Sequence, residues 1–215
     1  MAGPLILIPT IGELNIIAPR LIGMSLPPES VQLCGFGPVS SGVRTTQLLN
    51  QTEADQIFLV GIAGSLNRSC SPGHAFVFDD VAMYGVGAGS GDTYRNAGEL
   101  GWSHWISSTS EHGEIRVGDQ ITLRQEESNQ PLQQLLTVCS AAATQKDARD
   151  RLAKFPNALA EDMEGFSVAF AGAMAGIPVR IVRGISNIAG DREKSRWRIA
   201  DALHAATDLL KEQLS

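Results

Sequence analysis

The feature that most constrains the fold of this chain is a series of short apolar runs, each closed by glycine or polar residues. The runs are rich in Val, Ile, Leu and Phe, a composition typical of strands that are buried on both faces of a sheet. Their length also matches that of strands rather than helices. The predicted strands are Leu5–Ile8, Val31–Cys34, Ile57–Val60, Ala75–Phe78, Val81–Tyr84, Leu135–Cys139 and Val179–Val182.

Helical patterns lie between several of these runs. Apolar residues recur at helical spacing in Ser40–Asn50, Ala148–Phe155, Asp162–Ala175 and Ile199–Gln213. Strands that alternate with helices are typical of an α/β protein with a mainly parallel sheet. The 215 residues suffice for one sizeable core, and no linker, repeat or low-complexity segment interrupts them. We therefore predict a single three-layer α/β/α domain over residues 1–215, with a mainly parallel, mixed central sheet.

Charge and apolar content exclude several classes of function. Hydrophobic residues make up 43% of the chain and charged residues 19%, an ordinary globular composition. The net charge of −6 disfavours a nucleic-acid partner, because such binders usually carry a basic face. The longest apolar stretch, Val168–Val179, is too short to span a bilayer. Pro9 and Glu13 interrupt the first apolar segment, unlike a signal peptide. We expect no membrane segment.

Cysteine and histidine spacing argues against disulfides and metals. Cys34, Cys70 and Cys139 are odd in number and far apart, as expected for a protein of the reducing cytoplasm. A metal site usually draws on ligands at short, regular spacing. No such spacing separates the histidines, which are His74, His104, His112 and His204. We expect a cytoplasmic protein without a metal.

Two glycine-rich segments resemble phosphate-binding loops only in part. Gly35–Ser40 lies between a predicted strand and a predicted helix but lacks the third glycine of the dinucleotide fingerprint. It fits a tight turn better than a nicotinamide site. Gly85–Gly91 is not followed by the Lys-Ser or Lys-Thr of a Walker loop. It belongs to a polar stretch, Gly85–Trp105, which predicts an excursion over the surface. We expect no cofactor.

Polar residues stand close to the carboxyl ends of predicted strands at three places. Glu13 follows the first strand, Asp162 and Glu164 open an apolar helix, and Arg183–Asn187 follows the last strand. Acidic residues in a first helical turn often only complement the helix dipole. However, open α/β sheets place their ligand sites at this edge. The three places together predict a ligand site.

The order of these segments resembles the purine nucleoside phosphorylase and nucleosidase superfamily. The resemblance covers nearly the whole chain and rests on Glu13, Gly61–Leu66, Glu161–Gly165 and Val182–Asn187. Within the superfamily, Ser186-Asn187 followed by Gly190-Asp191-Arg192 and Arg196-Trp197 is similar to the futalosine hydrolases. Methylthioadenosine/S-adenosylhomocysteine nucleosidases carry Ser-Asp instead. The resemblance implies a nucleoside phosphorylase-like fold and cleavage of futalosine to hypoxanthine and dehypoxanthine futalosine, in the alternative menaquinone pathway.

The chemistry of the purine base supports the resemblance to futalosine hydrolases rather than to methylthioadenosine/S-adenosylhomocysteine nucleosidases. A 6-oxopurine offers hydrogen-bond acceptors at both O6 and N7, so an Asn amide can donate there and an ionised carboxylate cannot. Adenine instead offers an amino donor beside N7, which suits a protonated Asp. Asn187 therefore favours hypoxanthine or guanine over adenine, although outside this family an Asn here would only cap a turn.

The resemblance also implies roles for individual residues. Two residues would be catalytic. Glu13 would hold the attacking water and take its proton, and Asn187 would donate a hydrogen bond to the leaving base. Glu164 would accept hydrogen bonds from the ribose hydroxyls, and Met163 would pack against the ribose face. The further predicted substrate-binding residues are Ile62, Ala63, Gly64, Thr144, Gln145 and Asp162.

Hydrolysis and phosphorolysis stay open at this point. A carboxylate such as Glu13 would repel phosphate, and the Gly35–Ser40 loop has no adjacent Arg, which favours hydrolysis. Arg20 and Arg44 remain candidate phosphate ligands. The alternatives are a purine nucleoside phosphorylase, an adenosine-type nucleosidase of the methylthioadenosine kind, and a nucleoside-binding module without activity. The resemblance implies a small-molecule nucleoside as ligand and a homo-oligomer built from dimers.

Overall fold

The protein is described here by a computed structural model that covers residues 3–110, 113–123 and 133–215, so that His112 lies outside the described residues. The strands are β1 (Gly3–Ile8), β2 (Val31–Leu33), β3 (Ala54–Ser65), β4 (Ala75–Phe78), β5 (Asp80–Tyr84), β6 (Gly87–Ala88), β7 (Arg95–Asn96), β8 (Trp105–Ser110), β9 (Gly113–Val117), β10 (Gln120–Thr122), β11 (Gln134–Val138), β12 (Ala158–Asp162) and β13 (Val179–Ile188). The helices are α1 (Ile11–Leu21), α2 (Gly37–Leu49), α3 (Gln145–Lys154), α4 (Gly165–Ala175) and α5 (Ile199–Leu214).

Nine strands form the central sheet. Their order is β10-β5-β11-β12-β3-β1-β2, and β13 pairs with both β3 and β4 beside this path. The pairs β1–β2, β1–β3, β5–β11, β11–β12 and β3–β13 are parallel. The pairs β5–β10, β3–β12 and β4–β13 are antiparallel. The mainly parallel, mixed sheet predicted from the sequence is therefore confirmed.

Helices cover both faces of this sheet. Leu5 and Leu7 of β1 belong to the core shared with α2 and α4, whereas Ile6 and Ile8 belong to the core shared with α1 and α5. Successive side chains of a strand point to opposite faces, so a strand between two helical layers must be apolar throughout. This explains the continuous apolar runs and confirms the three layers.

Two central strands extend beyond their apolar runs. The sequence suggested that β3 ends at Val60, but it continues through Gly61–Gly64 to Ser65. Likewise, β13 continues past Val182 to Ile188. The two extensions pair in parallel, with Arg183 opposite Gly61 and Asn187 opposite Gly64. Residues expected in loops after these strands are thus held in register by the sheet.

The acidic residues also lie on other elements than expected. Asp162 is the last residue of β12, and α4 begins only at Gly165, so the predicted helix over Asp162–Ala175 starts too early. Glu13 lies in the first turn of α1, a helix that the sequence analysis did not predict. Thr10 caps the N-terminus of this helix, and Pro19 lies near its C-terminal end.

Most residues of the predicted surface excursion, Gly85–Trp105, are exposed, as expected. The excursion contains the small β6–β7 sheet and is anchored by Tyr94, whose buried hydroxyl donates to the Val86 carbonyl at 3.0 Å and accepts from the Gly85 N–H at 3.0 Å. Across the described ranges, none of the helices combines the length and apolar character needed to cross a membrane.

Candidate active site

A cavity of about 480 Å³ lies where β1, β12 and β13 end and where the second half of β3 passes beside β13. This volume is typical of pockets for small ligands. The structure brings most of the predicted site residues to it. The predicted residues that line the cavity are Glu13, Ile62, Ala63, Gly64, Asp162, Met163, Glu164 and Asn187.

Glu13 is held at the start of α1 by reciprocal hydrogen bonds with the helix cap. Its N–H donates to Thr10 Oγ1 at 3.3 Å, and the Thr10 hydroxyl donates to Glu13 Oε2 at 2.6 Å. The Ile62 N–H of β3 donates to Oε1 at 3.0 Å. Because each carboxylate oxygen can accept two hydrogen bonds, both oxygens keep capacity for a bound water. The side chain is nearly buried but borders the cavity.

Glu164 is fixed between α2 and β13. Its Oε1 accepts from the Gly37 N–H at 2.9 Å, at the first residue of α2, and its Oε2 accepts from Arg183 Nη2 at 3.1 Å. Gly37 has φ of 82°, which a residue with a side chain rarely adopts. Burial raises the pKa of Glu164 to about 7, against the opposing effect of the Arg183 charge. Its ionisation is thus poised near neutral pH.

Arg183 of β13 is fully buried among acidic residues, and the sequence analysis gave it no role. Its Nε and Nη2 donate to Asp162 Oδ2, and Nη2 also donates to Glu164. Its Nη1 has no hydrogen-bond partner among the described residues. A Cβ placed on Gly61 would lie 2.4 Å from Nη1 and 2.7 Å from Glu13 Oε1. The unpartnered N–H groups of Arg183 and the Glu13 carboxylate therefore meet beside Gly61.

Asp162 supports Arg183 through its buried carboxylate. Its side chain is fully buried, so only its backbone is open to a ligand. Oδ1 accepts from the Thr137 hydroxyl at 2.7 Å, and Oδ2 accepts from the Gly165 N–H at 2.8 Å and from Arg183. With these partners, the Asp162 carboxylate positions Arg183.

Asn187 stands at the end of β13, on the cavity wall. Its Oδ1 accepts from the Ser186 hydroxyl at 2.8 Å, and its Nδ2 donates to the Ile188 carbonyl at 2.9 Å. An amide NH₂ has two hydrogens, so one remains for a ligand. The neighbouring pairing of β13 with β3 shifts by one residue between Ile185 and Asn187, and this irregularity places the half-buried Asn187 at the cavity.

Thr144 and Gln145 are outside the cavity lining. Thr144 caps α3 by accepting from the Asp147 N–H at 3.2 Å. Gln145 Nε2 donates to the Ala189 carbonyl at 3.0 Å, which ties α3 to the segment after β13. The lining in this part of the chain comes instead from Ala141 and Ala142. The predicted substrate contacts of Thr144 and Gln145 stay predictions.

A second buried ion pair supports that lining and was not foreseen. Arg151 of α3 pairs with Glu161 of β12, and both side chains are almost fully buried. Arg151 Nη2 donates to the Ser140 carbonyl at 2.7 Å, and the Ala142 N–H donates to Glu161 Oε1 at 2.8 Å. The pair therefore holds residues 140–142 against the cavity. Its two members are separated in sequence by a helix end and a turn, so spacing alone does not reveal it.

The described residues contain no group of three His, Cys, Asp or Glu side chains placed to hold a metal ion. The carboxylates of Glu13, Asp162 and Glu164 are engaged by N–H groups, by hydroxyls and by Arg183. The cavity lining thus offers a proton acceptor and hydrogen-bonding groups for a polar ligand, with the Arg183 cation buried behind Glu164.

Comparison with known proteins agrees with this fold. Residues 21–215 match the phosphorylase superfamily, and the chain belongs to that family. Over 187 residues it is 30% identical to a futalosine hydrolase of Streptomyces coelicolor, covering 81% of this chain and 73% of that protein. A 5'-methylthioadenosine/S-adenosylhomocysteine nucleosidase of Staphylococcus aureus is 27% identical over 75% of this chain and 69% of its own length.

A solved structure carries the same fold. The futalosine hydrolase of Helicobacter pylori superposes with a TM-score of 0.72 at 17% identity, over 98% of this chain and 97% of that one.

Proposed function

We propose that this protein is a futalosine hydrolase, which cleaves the N-ribosidic bond of futalosine with water and releases hypoxanthine. The observation that carries the proposal is that Glu13, fixed by Thr10 and Ile62, lines the cavity together with Glu164 and Asn187. The names of the curated relatives in Streptomyces coelicolor and Acidothermus cellulolyticus support the choice of substrate.

In this proposal, a water in the cavity lies against the Glu13 carboxylate. Glu13 accepts one of the protons of this water. The water oxygen forms a bond to C1′ of the ribose while the bond from C1′ to the purine nitrogen breaks, and the electron pair of that bond goes to the purine. The purine anion takes a proton from solvent to become hypoxanthine, and Glu13 returns its proton to solvent. Glu13, fixed by Thr10 and Ile62, is held ready for this proton transfer.

Glu164 acts on the sugar. As a carboxylate, it accepts hydrogen bonds from the ribose hydroxyls and so fixes the ring while positive charge develops at C1′. The Gly37 N–H and Arg183 hold it in place. Met163 lines the cavity beside it and supplies an apolar contact for the ribose face.

Asn187 acts on the leaving base. Its free amide hydrogen donates to N7 or O6 of hypoxanthine as negative charge builds on the purine. Ser186 accounts for the orientation of the amide, because its hydroxyl donates to Oδ1 and so leaves the second hydrogen of Nδ2 for the base.

The surroundings of the site favour water over phosphate as the nucleophile. Glu13, Asp162 and Glu164 concentrate negative charge on the buried side of the cavity, opposed by the single charge of Arg183. Arg20 pairs with Asp208 at 2.8 Å, and neither Arg20 nor Arg44 lines the cavity. Phosphate binding generally needs several converging donors.

The test is the release of the purine base, hypoxanthine from futalosine and inosine and adenine from methylthioadenosine, with and without added phosphate. We expect hydrolysis of futalosine at a rate independent of phosphate, with a free sugar product. A phosphate-dependent rate with a sugar 1-phosphate product would identify a phosphorylase. A preference for methylthioadenosine would identify an adenosine-type nucleosidase, and binding without cleavage would leave a binding module.

We also propose a setting for this reaction. The protein would act in the cytoplasm, in a menaquinone pathway, as a homo-oligomer built from dimers. Exposed apolar side chains of α2, including Val39 and Val43, support a subunit contact. Light scattering coupled to gel filtration measures the oligomeric state, and a monomeric mass would contradict this part.

A further inference from the structure

The mouth of the cavity carries a charge opposite to that of its buried side. Arg192 and Lys194 line the cavity, and both are exposed, whereas Glu13 and Glu164 are buried. Within the described part of the chain, neither Arg192 nor Lys194 forms a side-chain hydrogen bond or an ion pair. A nucleoside that reaches from the acidic side to the mouth thus meets two free positive charges there.

The acidic neighbours of these cations are engaged elsewhere. Asp191 Oδ1 accepts from Arg196 Nη2 at 2.8 Å and from the Glu193 N–H at 2.9 Å. Glu193 Oε1 accepts from the Ser195 hydroxyl at 2.8 Å. Although the segment alternates acidic and basic residues, its internal bonds leave Arg192 without an acidic partner.

The segment that carries the cations is also anchored. Trp197 Nε1 donates to the Asp191 carbonyl at 3.0 Å, which closes the segment into a loop. The Arg192 guanidinium stacks over the Trp197 ring, with its Cζ 5.2 Å from the ring centroid. Gly190, with φ of 83°, packs so closely on Thr144 that a Cβ would lie 2.4 Å from its carbonyl oxygen. An anchored arginine loses less conformational entropy when it binds an anion.

We propose that Arg192 and Lys194 form a subsite for an anionic group at the distal end of the nucleoside, a carboxylate or a phosphate, and so determine substrate specificity. The inference rests on the proposed function, because it assigns the end of that substrate away from the bond that is cleaved. A guanidinium pairs with a carboxylate through two parallel hydrogen bonds, and an ammonium adds a third donor group.

The experiment compares kcat/KM for futalosine, inosine 5′-monophosphate and inosine, which share the base and the ribose but carry a carboxylate, a phosphate or no anion. The variants are Arg192→Gln, Lys194→Gln and the double substitution. Arg149→Gln is the matched control, since it removes one exposed positive charge from α3, outside the cavity lining. Thermal unfolding checks that each variant is folded.

We expect the ratio of kcat/KM for futalosine to that for inosine to fall about 10- to 100-fold in the double variant, the usual effect of losing hydrogen bonds to a charged group. Arg149→Gln should keep the wild-type ratio. A loss with inosine 5′-monophosphate instead of futalosine identifies phosphate as the anion. A double variant that keeps both wild-type ratios overturns the subsite.

A binding measurement separates this inference from the proposed function. If the wild type cleaves none of the three nucleosides, the proposed function has failed. Ligand-observed NMR with benzoate then tests whether Arg192 and Lys194 still bind an anion. Benzoate binding that the double variant loses and Arg149→Gln retains supports the subsite. No binding to the wild type, or equal binding to wild type and double variant, overturns it.

Discussion

Arg183 and Glu13 approach each other beside Gly61, and a Cβ on that glycine would lie within 2.7 Å of Glu13 Oε1 and 2.4 Å of Arg183 Nη1. The two side chains come from β13 and α1, and β3 passes between these elements as the central strand of the site. Glu13 lines the cavity, whereas Arg183 is fully buried and does not line it. The Arg183 cation therefore lies behind the Glu13 carboxylate, and Glu13 is the member of the pair that a bound water can reach.

The first prediction concerns the proton acceptor. Glu13→Gln keeps the size of the side chain and an oxygen for the Ile62 N–H but removes the base. General-base catalysis typically contributes about 10²–10⁴-fold, so kcat should fall on that scale while the Kd for substrate changes little. Steady-state kinetics and equilibrium binding measure the two effects. Near-normal turnover would remove Glu13 from the mechanism.

The second prediction concerns the space beside Gly61. Gly61→Ala inserts a methyl group that must displace Arg183 or Glu13, because both lie under 3 Å from the new atom. We expect kcat to fall tenfold or more and the free energy of unfolding to drop by about 1–3 kcal/mol, the usual cost of overpacking. Urea unfolding and kinetics test this.

Gly118→Ala is the control for that substitution, since a Cβ there meets no atom of the described residues within 4 Å. It should leave kcat and the free energy of unfolding close to wild type. Equal effects of the two substitutions would show that the cost lies in replacing glycine and not in the contact with Arg183 and Glu13.

The third prediction concerns pH. Burial raises the pKa of Glu164 to about 7, so this side chain is protonated below that pH and ionised above it. The ionised form accepts more strongly from the ribose hydroxyls and stabilises the positive charge at C1′, so kcat/KM should rise as pH increases through about 7. A pH–rate profile from 5.5 to 8.5 measures the rise.

Glu164→Gln provides the control for the pH profile. Its lower residual rate should lack the rise near pH 7, because the titrating group is gone. A rise that persists unchanged in Glu164→Gln would assign it to another group.

Much of the fold follows from local sequence, but several parts of the site do not. The apolar runs of β1 and β11 predict buried strands because each residue faces a helical layer or a neighbouring strand. In contrast, β3 continues through Gly61, where it pairs with Arg183 of β13. The Arg183 side chain lies close to Gly61, although the two residues are more than a hundred positions apart in the sequence. No local pattern contains that information.

The same limit explains the buried ion pairs. Arg183 stands in a recognisable motif, but its importance comes from Asp162 and Glu164 on other elements. Arg151 is part of an ordinary polar helix pattern, and only its pairing with Glu161 reveals its place beneath the cavity lining. Glu13, Glu164 and Asn187 were predicted from their position near strand ends and from the family resemblance, and all three line the cavity.

The last prediction concerns Asn187 and the choice of base. Asn187→Ala removes the donor to the leaving purine, and the loss of one such donor costs about 10²–10³ in rate at comparable sites. Asn187→Asp should also impair cleavage of a 6-oxopurine nucleoside, because an ionised carboxylate would face two acceptors, O6 and N7. The same variant should gain relative activity on a 6-amino nucleoside, since a protonated Asp can donate to N7 while accepting from the amino group.

The measurement is kcat/KM for futalosine and for methylthioadenosine in the wild type and both variants. Asn187→Ala should lower the futalosine value, whereas Asn187→Asp should shift the ratio toward methylthioadenosine. Ser186→Ala serves as a graded control: it removes the hydroxyl that donates to Asn187 Oδ1 but leaves the amide in place, so a smaller loss is expected. A wild type that already prefers the 6-amino substrate would refute the argument from Asn187 to hypoxanthine.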